Sequence, residues 1–114
     1  MPERVRDRAT FLAFRRARRR VRRGPITITF VPGAPTDRPR VAYAIGRKVG
    51  GAVVRNRLRR RLRALVADLD PALEPGAYLV GATAEAVPLS FGELQAIMSE
   101  VLQATSEAGR ERQR

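Results

Sequence analysis

Hydrophobic and polar positions along the chain fall into six segments that follow two different periods. From about Thr10 to Val21, TFLAFRRARRRV repeats Phe11, Phe14 and Ala17 every third position. That spacing predicts a short helix with one apolar stripe. Gly24-Pro25 punctuates, and ITITFV at 26–31 is β-branched and aromatic, the composition of a strand. PGAPTDRPR, 32–40, reads as a Pro-rich turn or loop, VAYAIG, 41–46, as a second strand, and RKVGG, 47–51, as a connection. A long basic helix is predicted from Ala52 to about Asp68, broken by DPALEPG, 70–76, before a third strand, AYLVGAT, at 77–83.

The last helix carries the fullest start signal. Ser90 and Glu93 form an S-x-x-E capping box, and Leu89 and Leu94 occupy the two positions of a hydrophobic staple. Leu94, Ile97, Met98, Val101 and Leu102 then mark one core-facing stripe. The order α-β-β-α-β-α predicts an α+β fold, a single-domain sandwich with one small sheet and helices. Residues 1–8 read as a solvated basic tail and 109–114 as a frayed one.

The helix predicted at 52–68 combines two demands. At about 100° per residue, Val54, Leu58, Leu62, Leu65 and Leu69 share roughly an 80° arc. Arg55, Asn56, Arg59, Arg60 and Arg63 fall on the far side, and Arg57 and Arg61 flank the apolar edge. Arginines one turn apart repel one another, and no acid sits at i±4 to relieve them. A polyanion would relieve them, and the planar guanidinium fork suits phosphate oxygens. Asn56 adds a neutral donor and acceptor suited to a base edge, a ribose or a phosphate. Gly50 and Gly51 leave backbone N–H groups at the helix start for an anion.

Composition sharpens the picture. The chain has 114 residues and a formal net charge of +12. Residues 1–63 hold 20 Arg or Lys against 3 acids, a balance of +17, whereas 64–114 hold 3 against 8, a balance of −5. Base composition of a genome explains arginine in place of lysine but not this segregation. Such charge points to nucleic acid rather than to fold. With no Cys and no His, thiol and imidazole catalysis, disulfides and the usual zinc sites are excluded. No signal peptide and no membrane span are apparent, and the basic helix lacks the aromatic residues of an interfacial one. A cytoplasmic protein is expected. No catalytic constellation and no phosphate loop is present, and Asp68 and Asp70 read as solvated helix-end acids.

Arg47, Lys48, Gly50, Ala52, Val53, Arg55, Asn56, Arg57, Arg59, Arg60 and Arg63 stand in the register of an Arg-Asn-Arg motif inside a basic helix, preceded by a strand, a basic pair and a glycine. Here the chain resembles the protein-subunit family of bacterial ribonuclease P, most tightly over 41–66. The resemblance implies a βαβ crossover of left-handed sense. It implies an RNA partner that, with Mg²⁺ bound mainly by that RNA, hydrolyses the phosphodiester at the 5′ end of mature tRNA. The chemistry is then expected of the RNA partner, with no catalytic residue and no metal site assigned to the protein.

By the same resemblance, Arg47, Lys48, Arg55, Asn56, Arg57, Arg59, Arg60 and Arg63 bind RNA. The 5′ leader of precursor tRNA occupies a cleft between the first helix and the sheet, with Phe11, Phe14, Arg15 and Tyr43, joined by Arg47 and Lys48, on the leader side. Phe11 and Phe14 serve equally well as helix-to-sheet packing. Where the family commonly has a glycine, Ala17-Arg18-Arg19-Arg20 stands here and predicts a longer first helix. Thr27 and Thr29 in place of aromatics predict a cleft face that hydrogen-bonds more than it stacks. The residues alone also suit a basic ribosomal or other structural RNA-binding protein, or a DNA-binding regulator with the helix in a major groove.

Overall fold

The computed structural model describes residues 2–69 and 73–112, with the side chains of 110–112 left aside. The elements are β1 (Glu3–Arg4), α1 (Arg8–Arg16), β2 (Arg19–Arg23), β3 (Ile26–Pro32), β4 (Arg40–Ala44), α2 (Ala52–Asp68), β5 (Gly76–Ala82) and α3 (Phe91–Arg112). Short 3₁₀ turns at Arg47–Val49 and Ala84–Ala86 precede α2 and α3. The five strands form one mixed sheet in the order β1-β4-β5-β3-β2. β1, β4 and β5 run parallel, with α2 as the crossover from β4 to β5, while β3 pairs antiparallel with both β5 and β2.

Strand alternation assigns the two faces. Ile26, Ile28, Phe30, Val41, Tyr78 and Val80 face α2 and α3, where Leu58, Leu62, Leu65, Val66, Leu94, Met98 and Val101 complete the main core. Val5, Phe14, Ala42 and Ala77 form a smaller core on the other face, beneath α1. The leucine edge of α2 is buried as its spacing requires, except that Val54 stays exposed and Val66 takes its place. Val54 lies instead over Gly50, whose φ of 154° and closeness to the Val54 methyls both favour glycine.

Two basic segments differ from the sequence reading. The first helix stops at Arg16, and Ala17 turns extended at its C-cap. The arginine run that the three-residue spacing assigned to helix is strand β2, joined to β3 through Gly24-Pro25. Pairing with β3 overrides helix propensity. In that strand Arg19 and Val21 turn inward and Arg20 and Arg22 outward, the period of 2 that the helical reading obscured.

The second difference is at the N-terminus, where 2–8 is not a solvated tail. Glu3 and Arg4 pair with Arg40 and Val41 of β4, and Val5 is buried against Phe14. Asp7 then caps α1, its carboxylate accepting from the Thr10 N–H at 2.8 Å and from Arg40 Nη1 at 3.0 Å. These donors, that of the Thr10 hydroxyl foremost, hold the Asp7 carboxyl below the usual carboxylate range.

α3 begins as its sequence signature demands. The Glu93 N–H donates to Ser90 Oγ and the Ser90 N–H to Glu93 Oε1, at 3.1 and 3.0 Å. The helix runs to Arg112, beyond the Ala108 at which sequence ended it, and Arg19 packs against it at Thr105 and Gly109. Arg19, 8% exposed, donates to Glu74 at 2.8 Å and to the Thr105 carbonyl at 2.7 Å. Its guanidinium also lies 4.2 Å from the centre of the Phe30 ring. Part of the breaker predicted at 70–76 and the tail at 113–114 lie outside the described residues.

Two substitutions test this packing by thermal or denaturant unfolding. Leu62→Ala empties a site of full burial and should cost roughly 2–5 kcal/mol. Gly→Ala inside a helix ordinarily stabilises by about 1 kcal/mol. At Gly109 the added Cβ would overlap the Arg19 guanidinium, so Gly109→Ala should lower the midpoint instead. A raised midpoint would show that Arg19 is not held where it lies.

Candidate RNA interface

α2 presents three flanks, each with its own arginines. On the flank toward β4, Arg59 and Arg63 line a cleft of about 900 Å³ together with Phe11, Tyr43 and residues 2–6. Tyr43 is half-buried on the α2 face of the sheet, and the Arg63 guanidinium lies 5.6 Å from its ring centre. Phe11 is 45% exposed and meets Phe14 edge-to-face at a centroid distance of 6.1 Å. The cleft therefore has two rings, one of them well exposed, and a cationic wall.

Outermost on α2 stand Asn56 and Arg60, while Arg57, also exposed, lies beside Arg61 toward the loop before α3. Asn56 does not project alone, since its Oδ1 accepts a 2.8 Å hydrogen bond from Arg59 Nη1 one turn on. Arg47 and Lys48 are exposed on the turn that leads into the helix. The Gly51 N-cap supplies no side-chain bond, so the first N–H groups of α2 remain open.

The third flank is structural. Arg61 donates to the Val87 carbonyl at 3.4 Å and to the Leu89 carbonyl, fastening α2 to the loop before α3. Arg55 belongs to neither outer face: one turn before Arg59, on the β4 side, it is half-buried rather than outermost as the sequence put it, with its Nε enclosed and without an acceptor among the described residues.

Sequence-predicted residues are thus only partly brought together. Phe11, Tyr43, Arg59 and Arg63 converge. Phe14 does not line the cleft, because at 2% exposure it is the centre of the core under α1. Arg15 lies off the cleft too; it borders an apolar groove on the other flank of α1, with Leu12 and Arg16. Asn56 and Arg60 form the outward surface, with Arg57 exposed on the Arg61 side and Arg47 and Lys48 exposed on the turn before the helix. The threonine face exists as a shallow groove of Arg20, Arg22, Thr27, Thr29, Leu79 and Gly81. Thr29 is buried there, and its hydroxyl accepts from Arg20 Nε at 3.1 Å. Arg4 and Arg6, read as tail, border the cleft. The alternation Arg4-Val5-Arg6 was the signal that could have found them.

A basic helix flanking a cleft with an exposed ring, on a sheet with no catalytic cluster among the described residues, defines a nucleic-acid-binding α+β protein. Residues 1–106 match the model of the Ribonuclease P family. A ribonuclease P protein component from Acidothermus cellulolyticus is 40% identical over 104 residues, covering 87% of this chain and 84% of that one. One from Thermobifida fusca is 37% identical, covering 90% and 76%. The fold matches the Staphylococcus aureus RNase P protein with a TM-score of 0.79 at 19% identity, over 90% of this chain and 94% of that one. For the Thermotoga maritima RNase P protein the TM-score is 0.77 at 21% identity, over 88% and 94%. The chain belongs to the ribonuclease P family, which does not favour the basic ribosomal or other structural RNA-binding protein that the residues alone left open.

The arginine flanks separate experimentally. Arg60→Ala should leave the unfolding midpoint unchanged and shallow the dependence of log K on log salt for a structured RNA by about one unit or less. Arg61→Ala should do the reverse, lowering the midpoint while keeping the slope. Burial pushes both Tyr43 and Tyr78 up to about 12, with Arg63 opposing the shift at Tyr43 and the Glu74 N–H opposing it at Tyr78. Spectrophotometric titration should therefore show little tyrosinate near the ordinary value of 10. The stability held by these raised values is complete below the unfolded value and is lost as pH rises toward 12.

Proposed function

We propose that this chain is the protein subunit of a cytoplasmic ribonuclease P ribonucleoprotein that removes the 5′ leader of precursor tRNA. Asn56, Arg57 and Arg60, with Arg47 and Lys48, hold the catalytic RNA. Phe11, Tyr43, Arg59 and Arg63 hold the leader. The carrying observation is that one helix serves both surfaces, with Arg59 and Arg63 turned to an aromatic cleft and Arg60 turned away from it.

Chemistry belongs to the RNA in this reading. The described residues include no nucleophile-and-base set and no group of three or more acids, His or Cys that could hold a metal. Asp7 and Asp37, two of the three acids in the basic half, are engaged as turn and helix caps. In this reading the RNA holds most of the Mg²⁺, which would supply charge neutralisation and an activated water. The protein contributes positioning: a cationic wall for leader phosphates, a ring for an unpaired base, and counterion release that strengthens association.

Phe11→Ala tests the assignment. It should weaken binding of precursor tRNA by roughly 1–3 kcal/mol, the worth of one stacked base, and leave mature tRNA and the catalytic RNA unaffected. Equal losses for precursor and mature tRNA in a folded variant would remove Phe11 from the leader site. In the same assay, RNA-free protein with precursor and Mg²⁺ should yield no cleavage.

A further inference from the structure

We infer that the N-terminal strand is a wall of the leader cleft and that Arg4 and Arg6 are RNA-binding residues. This rests on the leader reading above and adds to it a pair of cations from a different element. The chain segment that carries them is fixed by the fold. The Glu3 N–H donates to the Pro39 carbonyl and the Val5 N–H to the Val41 carbonyl, at 3.0 and 3.3 Å. Val5 is buried among Phe14, Ala42 and Ala77, and Asp7 ties the far end to Arg40 and α1. In an extended segment, burying Val5 turns its two neighbours the opposite way.

That way is the cleft. Arg4 and Arg6 border it from β1 and the residues that follow, opposite Arg59 and Arg63 of α2, with Tyr43 between. Both are exposed, and among the described residues neither side chain makes a hydrogen bond or an ion pair. By contrast Arg19, Arg40 and Arg61 are each engaged by acids or carbonyls. Four guanidiniums on two walls, at one half-buried aromatic ring, fit a single RNA strand with its phosphates between the walls and a base toward the ring. The cation pairs also explain why an edge strand so short is kept: its pairing sets where the two arginines stand.

The experiment uses the holoenzyme, protein with its catalytic RNA, and measures equilibrium binding of precursor and mature tRNA across a salt series. The Arg4→Ala/Arg6→Ala double variant leaves Val5 and Asp7 in place. It should weaken precursor binding and shallow the log K against log salt slope by about 1.4, two single-strand phosphate contacts at ~0.7 each. Mature tRNA binding and assembly with the catalytic RNA should stay as in the unmodified protein. Arg4→Lys/Arg6→Lys should restore the slope. Phe11→Ala is run beside it. If Phe11→Ala discriminates precursor from mature tRNA and the double variant does not alter the precursor slope, the N-terminal wall is refuted and the leader site survives. If both variants alter precursor and mature tRNA alike, the leader reading itself falls. Loss of assembly with the catalytic RNA in the double variant would place the strand on the other surface and overturn the proposal.

Discussion

Repulsion among like charges is the constraint around which this molecule is arranged. Twenty cations in the first 63 residues must be displayed on a chain of this size without opening it. Unrelieved, arginines one turn apart destabilise their own helix. The fold answers by sorting them. A few are turned to acceptors that belong to the fold: Arg19 to Glu74 and a helix carbonyl, Arg40 to Asp7, Arg61 to the loop before α3. Arg20 bonds to Thr29 and Arg23 to Glu100, and many of the others are exposed on a framework that the leucine edge of α2 and the two cores hold against their mutual repulsion. Such an arrangement is stable enough to persist and gains when a polyanion arrives.

Arg19 shows what the inward use of a cation entails. A buried guanidinium loses hydration, and its attraction to a partner often does no more than offset that loss. Here it has a carboxylate, a carbonyl and the face of Phe30, while its Nε is enclosed without an acceptor among the described residues. It is a weak source of net stability and a strong source of specificity. Removing its partners would leave a buried charge unpaired, so β2, the Glu74 segment and the end of α3 are held in one relative position. α3 must accommodate it with a glycine, Gly109, where a side chain would collide. The edge strand β2 carries charge along its outer side, which also discourages pairing with another chain.

What was legible in the sequence follows from which patterns have one physical reading. Apolar periodicity located α2 to the residue and β3, β4 and β5 to within a residue or two, because each buries one consistent set of side chains. The reciprocal bonds of Ser90 and Glu93 were equally readable, being local. Arginine-rich segments were not. In RARRRVRR an inward arginine and an outward one are the same letter, and only pairing with β3 decides between helix and strand. The N-terminal strand failed for a related reason. Two paired residues and one buried valine have no signal beyond alternation, and their partner, β4, is more than thirty positions away. At the site, the outward face of α2 was legible from helical geometry, while Phe11 and Phe14 could not be separated. Only the fold shows that one ring reaches the cleft and the other closes a core.

The three flanks of α2 follow from one register. With leucines at 58, 62 and 65 fixed on the sheet, Arg59 and Arg63 lie about 100–140° around the helix from the centre of that edge, at the β4 side. Arg57 and Arg61 lie on the opposite side, toward the loop before α3. Asn56 and Arg60 are left outermost. The outward face and the cleft wall are therefore not independent features that happen to share a helix, because sliding α2 by one residue would rotate both away together. Asn56 reinforces the division. By accepting from Arg59, it fixes the guanidinium that stands at the boundary between the outward face and the cleft. An asparagine between two arginines thus does what a third arginine could not: it supplies an acceptor, and so gives one cation of a repelling cluster a defined direction.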